Sequence, residues 1–247
     1  MQSLIEVLTK TFSMNYRFLI LLVSISMLLP TNNIIAKTSK TSTFKTPLPV
    51  SVNVNFLFSS LNLKNFNAPK IASYTQALNG FFNLKSKGLI KKDILTIIDF
   101  SLPSSAKRLW VIDMESNTVI YNSVVSHGMN SGGDYATSFS NAQSSNKSSL
   151  GFYATGETYN GKNGFSMKLD GLEVGVNSNA RARAVVMHGA YYANPTILNS
   201  QSYLGRSQGC PALPEALSKK VINTIKGKSC LFIYHPSRTS KLAKSLF

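Results

Sequence analysis

The chain has 247 residues, of which 43% are hydrophobic and 15% are charged, with 26 Lys and Arg residues against 10 Asp and Glu residues. This length allows one large domain with flanking segments and a full core, and two cysteines exclude a disulfide-rich scaffold and a four-cysteine zinc site. The formal net charge of +16 indicates attraction to an anionic polymer without saying which one.

The first apolar feature is a run of twelve residues, 18–29, which follows two basic residues. A basic flank, an apolar core of this length and small residues near Ala36 are typical of a secretory signal peptide, whereas a membrane-spanning helix needs about 20 apolar residues. We therefore assign residues 1–36 as a signal peptide and expect an exported protein. A start at Met14 instead of Met1, and an uncleaved segment that anchors the chain to a membrane, stay open.

Export leaves most of the charge in place. Residues 1–36 carry two basic residues and one acidic residue, so a net charge of +15 remains on residues 37–247. Scattered lysines most often form a solvated surface, and the alternative is docking onto an anionic envelope polymer or a membrane surface. Nucleic acid is not expected as a partner, because the protein is exported and has neither zinc-finger spacing nor an aromatic-rich RNA motif.

The residues that follow the predicted signal peptide begin with a polar segment and continue with helical and strand patterns. Residues 37–69 are rich in Ser, Thr, Asn and Lys and predict a linker or loosely ordered lead, in which weak alternation over residues 51–58 favours an edge strand. Apolar residues at helical spacing predict a helix over residues 71–82. Two alternating runs, residues 108–114 and 118–125, predict a β-hairpin.

The rest of the chain is punctuated by turn residues. Residues 128–149 are dense in Ser, Asn and Gly and predict a long loop, which in a compact domain is usually functional or mobile. Pro214 and Gly227 bracket an amphipathic helix. Further strands are predicted at residues 151–155, 165–169, 184–188 and 230–234. We therefore expect an α+β domain, mainly β with a few helices, over residues 70–238, followed by a basic C-terminal tail at 239–247.

Signals for nucleotides and metals are missing. The sequence has no Walker loop, no dinucleotide-binding glycine motif, no His-Glu-x-x-His and no Cys-x-x-Cys. Its three histidines, His127, His188 and His235, are far apart, and no carboxylate lies at ligand spacing beside them. We therefore expect no metal and no cofactor.

Two segments carry the residues of nucleophilic catalysis. Residues 184–190 predict a strand that ends near His188, and residues 204–213 predict a glycine-flanked turn that presents Cys210 ahead of a helix. A nucleophilic thiol needs an exposed turn, a nearby base, and backbone N–H groups directed at the developing oxyanion. We expect N–H groups around Gly209 and Cys210 to form that oxyanion site, and an imidazole to depress the thiol pKa and carry the proton.

Other roles for these residues stay open at this point. Cys210 and Cys230 are able to pair as a disulfide in an oxidising envelope, which would describe a non-enzymatic, basic, envelope-binding protein. Against this, Cys230 opens an apolar strand, where a buried free thiol is common. His188 taken alone is equally a hydrogen-bonded residue at a strand end, and His127, which also precedes a glycine, competes as the base.

The order of these motifs resembles the catalytic signature of the L,D-transpeptidases, and within them a divergent branch, the murein L,D-transpeptidase catalytic domain proteins. The resemblance covers about residues 70–236. It is carried by His188-Gly189 and by Ser207-Gln208-Gly209-Cys210, with supporting segments at residues 97–100, 126–128, 148–153, 172–177, 187–190 and 205–212. It implies a β-sandwich catalytic domain with the catalytic cysteine on a turn before a helix.

The resemblance also implies roles for individual residues. Cys210 matches the nucleophile that forms a thioester with a donor stem peptide of peptidoglycan, and His188 matches its base. The main-chain carbonyl of Gly189 matches the group that orients the imidazole, although Asp134 and Asp170 stay open as alternatives. Backbone N–H groups at the Cys210 turn, Gly209 included, match the oxyanion site.

Substrate contacts are expected from Arg206, Ser207, Gln208 and Tyr153, with a structural role equally open for Arg206. The common motif has His where this chain has Gln208, and a polar or basic pair where Pro and Ala follow the cysteine. The resemblance implies a bacterial periplasmic or envelope enzyme without a cofactor, which carbapenem β-lactams would inhibit. Its acyl acceptor would be a stem-peptide amine or an envelope protein. The alternative acceptor is water, which would make the chain an L,D-carboxypeptidase or a crosslink hydrolase.

Overall fold

The computed structural model describes residues 53–238, so the predicted signal peptide and the predicted tail at 239–247 lie outside the described residues. Within this part, none of the helices is long and apolar enough to cross a membrane. The helices are α1 (Val54–Ser59), α2 (Ile71–Ser86) and α3 (Glu215–Ile225), with short 3₁₀ helices at Met129–Ser131, Tyr191–Ala193 and Pro195–Asn199. The strands are β1 (Ile94–Asp99), β2 (Leu109–Asp113), β3 (Thr118–Ser123), β4 (Gly151–Gly161), β5 (Gly164–Gly171), β6 (Val186–Gly189), β7 (Ala212–Leu213) and β8 (Cys230–Tyr234).

These elements confirm the predicted class, mainly β with a few helices. The β2–β3 hairpin, helices α2 and α3 and the long loop at residues 128–149 all lie where the sequence patterns place them. One element is corrected: of the edge strand predicted over residues 51–58, residues 54–58 lie in α1. Its helical start comes from Asn53, whose side-chain oxygen accepts the Phe56 N–H at 3.0 Å, because an N-terminal cap satisfies an otherwise unpaired donor.

The strands join into one mixed sheet in the order β3-β2-β1-β8-β4-β5-β6-β7. The pairs β1–β8 and β6–β7 are parallel, and the remaining neighbours are antiparallel. The segment that follows β3, at one edge, pairs with β7 at the other edge, where the Ser126 N–H donates to the Ala212 carbonyl at 2.8 Å. The predicted packing of sheet on sheet therefore takes the form of one barrel-like sheet whose two edges meet.

Adjacent residues of the central strands enter different cores, because successive side chains of a strand point to opposite faces. In β1, Ile98 packs in an interior cluster and Ile97 in an outer one, and in β8 Ile233 and Phe232 divide in the same way. The outer cluster is covered by α2 through Tyr74, Leu78 and Phe81, and α3 adds Val221, Ile222 and Ile225 to the interior cluster. Because both faces are buried, these strands read as continuous apolar runs.

A buried ion pair holds the end of the described chain on the outer face. Arg238 Nη2 lies 2.7 Å from Glu173 Oε2, and the two side chains are 2% and 0% exposed. Glu173 also accepts the Phe152 N–H with its other carboxylate oxygen at 2.6 Å, and the guanidinium lies 5.5 Å from the centre of the Phe152 ring. Removing one partner of such a pair leaves an uncompensated buried charge.

We therefore expect Arg238→Ala to lower the free energy of unfolding by about 3–5 kcal/mol, measured by denaturant titration. Arg181→Ala is the matched control, because Arg181 pairs with Glu157 and Asp170 at the solvent-exposed surface and exposed pairs contribute little. A loss for Arg238→Ala no larger than that for Arg181→Ala would contradict the assignment of this pair as a clamp.

Candidate active site

An open cleft of about 610 Å³ lies beside β6 and the turn that leads into β7. Five of the predicted site residues line it: Cys210, His188, Arg206, Ser207 and Gln208. The other lining residues are Met129, Gln143, Ser144, Asn146, Tyr159, Lys162, Asn163, Arg183, Ala184, Val186 and Tyr192. The cleft therefore brings together side chains from the histidine strand, the cysteine turn, the long loop and the tip of the β4–β5 hairpin.

The pairing of β6 with β7 puts the histidine and the cysteine in one place. His188 lies opposite Ala212 in the parallel register, and Cys210 is two residues before Ala212. The Cys210 sulfur lies against the start of β6, where the Val186 N–H donates to it at 3.4 Å and the Ala184 carbonyl oxygen lies 3.8 Å away. Ala184 has a φ of +54°, in the left-handed region that is unusual outside glycine.

The ring of His188 is oriented by the main chain. Its Nδ1 lies 2.9 Å from the carbonyl oxygen of Gly189, and because a carbonyl only accepts, Nδ1 carries the proton and Nε2 is the basic nitrogen. Burial lowers the pKa of His188 from its ordinary value, so the imidazole is neutral near pH 7. The two carboxylates weighed as alternatives lie elsewhere: Asp134 accepts from Ser104, and Asp170 pairs with Arg181.

Gly189 has no room for a side chain. A Cβ atom built on Gly189 would lie 2.5 Å from Ser218 Oγ and 3.4 Å from the Glu215 Cα of helix α3. Helix α3 therefore packs directly against the residue whose carbonyl orients His188. This contact links the helix to the position of the imidazole.

The cysteine turn needs glycine at position 209. Gly209 has a φ of +119°, and a Cβ atom there would lie 2.8 Å from the Lys147 carbonyl oxygen. Its N–H donates to Ser207 Oγ at 3.0 Å, and the Ser207 hydroxyl in turn donates to the Cys210 carbonyl at 2.6 Å. The expected oxyanion donor at Gly209 is therefore already in use inside the turn. The Cys210 N–H, by contrast, donates no hydrogen bond to any group within residues 53–238.

Opposing effects act on the thiol of Cys210. Burial raises its pKa, while the Val186 N–H and the charge of Arg183 lower it. The net direction is upward, so the thiol is protonated at neutral pH. Because a protonated thiol is a poor nucleophile, the site needs a base within the cleft.

His127 does not reach this cleft. It is fully buried, its Nδ1 accepts from Arg108 Nη2 at 2.8 Å, and its Nε2 lies 3.4 Å from the Gly132 carbonyl oxygen. Burial and the neighbouring Arg108 lower the pKa of His127 to about 4. The main-chain carbonyl of His127 accepts the Ser207 N–H at 2.9 Å, so His127 is hydrogen-bonded to the cysteine turn through its backbone.

The predicted substrate-contacting residues divide into two groups. Arg206 and Gln208 are exposed in the cleft, and Arg206 Nη1 donates to the Gly132 carbonyl at 3.0 Å. Tyr153 is corrected: its side chain is fully buried in the interior cluster, and its hydroxyl donates to the Ser149 carbonyl at 2.9 Å. A strand residue on the interior face has no surface to offer a substrate.

Arg183 is among the lining residues that sequence reasoning missed. Arg183 lies two residues before Val185, and its side chain lines the cleft. Its guanidinium donates hydrogen bonds to four acceptors of the long loop. The only signal in the sequence is an alternating Ala-Arg pattern at residues 180–183, which is equally typical of an exposed turn.

The two cysteines, both within the described part of the chain, are unpaired. Cys230 is fully buried in the outer cluster, where desolvation raises the pKa of its thiol, and Cys210 lines the cleft. Within residues 53–238, no three His, Cys, Asp or Glu side chains are grouped closely enough to hold a metal ion.

The sequence also matches a known protein family. A family model described as the L,D-transpeptidase catalytic domain matches residues 67–234. The chain belongs to this family. The match spans the described strands and both cleft segments. A comparison with curated proteins finds no matching sequence.

Several solved structures, L,D-transpeptidases among them, are similar to the chain over part of its length. The cell-shape-determining protein Pgp2 of Campylobacter jejuni, solved as a K307A mutant, has 15% identity and a TM-score of 0.40 over 69% of this chain and 61% of its own. An L,D-transpeptidase of Mycobacterium smegmatis has 12% identity and a TM-score of 0.37, with 58% and 59% covered. LdtMt1 in complex with imipenem has 12% identity and a TM-score of 0.34, with 56% and 57% covered. The chain thus spans about three fifths of each of these structures.

The buried His127 predicts a pH dependence of stability in this family member. Its pKa is about 4 in the folded protein, below the ordinary value of 6.5, so the unfolded chain binds a proton that the folded chain does not between these values. The contribution of His127 to the free energy of unfolding is fully present above pH 6.5. It falls by up to about 3 kcal/mol as the pH drops toward 4. Denaturant titrations across this range should show the fall in the wild type.

The same titration of His127→Gln separates this effect from that of other groups. The amide oxygen of glutamine is able to accept from Arg108 but takes up no proton, so the slope between pH 6.5 and 4 should be smaller than in the wild type. His235→Gln is the matched control, because His235 is only partly buried. Equal slopes in the wild type and His127→Gln would show that His127 is not the group responsible.

Proposed function

We propose that this chain is an exported peptidoglycan L,D-transpeptidase that uses Cys210 as nucleophile and His188 as base. The observation that carries the proposal is the pair itself. The thiol and an imidazole whose Nδ1 is tied to the Gly189 carbonyl line one cleft, and the chain belongs to the L,D-transpeptidase catalytic domain family. A thiol, a base and a group that orients the base are the arrangement that cysteine acyl transfer requires.

The first half-reaction follows from the protonation states. The neutral His188 takes the Cys210 proton at Nε2, and the thiolate attacks the carbonyl carbon of the L,D peptide bond in the donor stem peptide. The Cys210 N–H donates no hydrogen bond within residues 53–238, and we assign it to stabilise the oxyanion of the tetrahedral intermediate. Collapse breaks the C–N bond, His188 returns the proton to the leaving amine, and the terminal D-amino acid departs with that amine.

The second half-reaction is the reverse with a new amine. The acceptor amine gives a proton to His188 as it attacks the thioester, the C–S bond breaks, and the proton returns to the Cys210 sulfur. No cofactor takes part, because the energy of the cleaved peptide bond is kept in the thioester. Water in place of the amine would give an L,D-carboxypeptidase or a crosslink hydrolase, and an amine of an envelope protein would give a protein-linked product.

The charge of the cleft supports an anionic donor. Its cationic lining residues are Arg183, Arg206 and Lys162, and none of its lining residues carries a carboxylate. Within residues 53–238, Arg206 uses only one of its guanidinium donors, in the bond to the Gly132 carbonyl, so the others are available to a substrate carboxylate. Gln208 is exposed next to it, and we assign both residues to substrate binding, with Ser207 holding the turn.

Compartment and domain limits complete the proposal. A signal peptide at residues 1–36, a lead at 37–69, a catalytic domain at 70–238 and a basic tail at 239–247 describe an exported enzyme peripheral to the cell wall. The net charge of +16 favours encounter with anionic stem peptides and envelope polymers. Imipenem, which is bound to LdtMt1 in one solved structure, is the carbapenem we expect to acylate the Cys210 thiol.

The direct test is an exchange assay with a purified muropeptide whose stem ends in a D-amino acid, and with a second D-amino acid as the amine acceptor. Mass spectrometry of the products should show the exchanged muropeptide for the wild type and none for Cys210→Ala. His188→Gln should lower the exchange rate by about 100-fold or more, because general-base assistance is lost.

Cys230→Ala is the matched control, because that thiol is buried away from the cleft, and it should retain exchange. A muropeptide that only loses its terminal residue in the presence of excess acceptor would identify the chain as a hydrolase. Exchange that persists in Cys210→Ala would refute the proposed nucleophile.

A further inference from the structure

The segment that leads into β6 surrounds the cysteine sulfur from one side. The Ala184 carbonyl oxygen lies 3.8 Å from the sulfur and the Val186 N–H donates to it at 3.4 Å. The side chain of Arg183, the residue directly before them, lines the same cleft as Cys210. One short stretch of chain therefore presents a carbonyl, an amide and a guanidinium to the nucleophile.

The hydrogen-bond partners of Arg183 are all neutral. Its Nη1 donates to the Ser140 carbonyl at 2.7 Å and to Ser149 Oγ at 3.3 Å, and its Nη2 donates to Ser145 Oγ at 3.1 Å and to the Lys147 carbonyl at 2.6 Å. No carboxylate within residues 53–238 forms an ion pair with it. No ion pair within the described residues therefore neutralises the guanidinium, which fastens four points of the loop at residues 140–149.

The same guanidinium touches the cysteine turn. A Cβ atom on Gly209 would lie 3.4 Å from Arg183 Nη2 and 2.8 Å from the Lys147 carbonyl oxygen that Nη2 holds. Ser148, within the fastened loop, donates its hydroxyl to the Gly209 carbonyl at 3.2 Å. The loop, the turn and the start of β6 therefore meet at Arg183.

The histidine and tyrosines near the sulfur do not carry a positive charge like that of Arg183. His188 is neutral, and burial raises the pKa of Tyr192 to about 12. Tyr153 lies behind Arg183, where burial keeps its phenol protonated, and the Lys147 ammonium donates to Ser138 Oγ at 2.8 Å. The remaining cations of the cleft are Arg206 and Lys162.

We propose that Arg183 is a positioning residue for the Cys210 nucleophile: it holds the loop at residues 140–149 against the cysteine turn, and its unpaired charge stabilises the thiolate. The inference rests on the proposed role of Cys210. Both roles, positioning the loop and stabilising the thiolate, depend on the guanidinium. Its planar group donates to four acceptors at once, whereas a lysine in its place would keep the charge but not this set of hydrogen bonds.

The test measures the thiolate directly, so that it does not depend on the identity of the substrate. In a Cys230→Ala background, the rate of Cys210 alkylation by iodoacetamide is followed from pH 6 to 11, which gives the pH midpoint of thiolate formation. Arg183→Gln should raise this midpoint by about one unit, a tenfold lower thiolate fraction at pH values below the midpoint. Arg181→Gln is the matched control, because that arginine pairs with Glu157 and Asp170 at the surface, and it should leave the midpoint in place.

Arg183→Lys keeps the test decisive if the glutamine variant does not fold. It should leave the midpoint within a few tenths of a unit of the wild type, yet lower the exchange rate at saturating muropeptide, because the loop is no longer held. An unchanged midpoint in folded Arg183→Gln would overturn the charge role, and full exchange in Arg183→Lys would overturn the positioning role. A midpoint shift in a protein without exchange activity would refute the proposed transpeptidase while leaving the inference on Arg183 standing.

Discussion

The candidate site depends on one short piece of pairing, the parallel contact between β6 and β7. It consists of two residue pairs, His188 with Ala212 and Gly189 with Leu213. Positions 188 and 210 are remote in sequence, and this register is what puts a strand-end imidazole and a thiol on the same cleft. The pairing is secured from both sides, because the Ser126 N–H donates to Ala212 where the two sheet edges meet and α3 packs against Gly189. The barrel-like closure of the sheet and the reactive geometry are thus the same structural feature.

Burial and charge then set how the site works. Burial at the strand ends raises the pKa of the Cys210 thiol and lowers that of His188, so the resting pair is neutral. In the proposed mechanism, this pair reacts by transferring a proton as the substrate arrives, and surrounding groups stabilise the thiolate when it forms. A backbone N–H from Val186 and the charge of Arg183 act in that direction. The absence of carboxylates among the lining residues of the described chain keeps that charge from being neutralised within the cleft.

Much of this arrangement follows from local patterns in the sequence. Alternation and helical spacing place β2, β3, α2 and α3, and the His-Gly and Ser-Gln-Gly-Cys motifs point to the two residues that share the cleft. Other features depend on contacts that no local pattern records. Residues 54–59 form a helix because of one cap at Asn53, and Tyr153 faces inward because of the register of β4. The Gly209 N–H is occupied by a serine two residues away, and Arg183 matters through loop atoms about 34–43 positions earlier in the chain.

In the proposed mechanism, the Cys210 sulfur is acylated through the action of His188. The most direct measurement of this step is the intact mass of the purified protein after incubation with imipenem, because attack of the thiolate opens the lactam ring and adds the whole inhibitor as a thioester. We expect the mass of one imipenem on the wild type, none on Cys210→Ala, and much slower addition to His188→Gln. An adduct that persists in Cys210→Ala, or an unmodified wild type, would contradict the proposed mechanism.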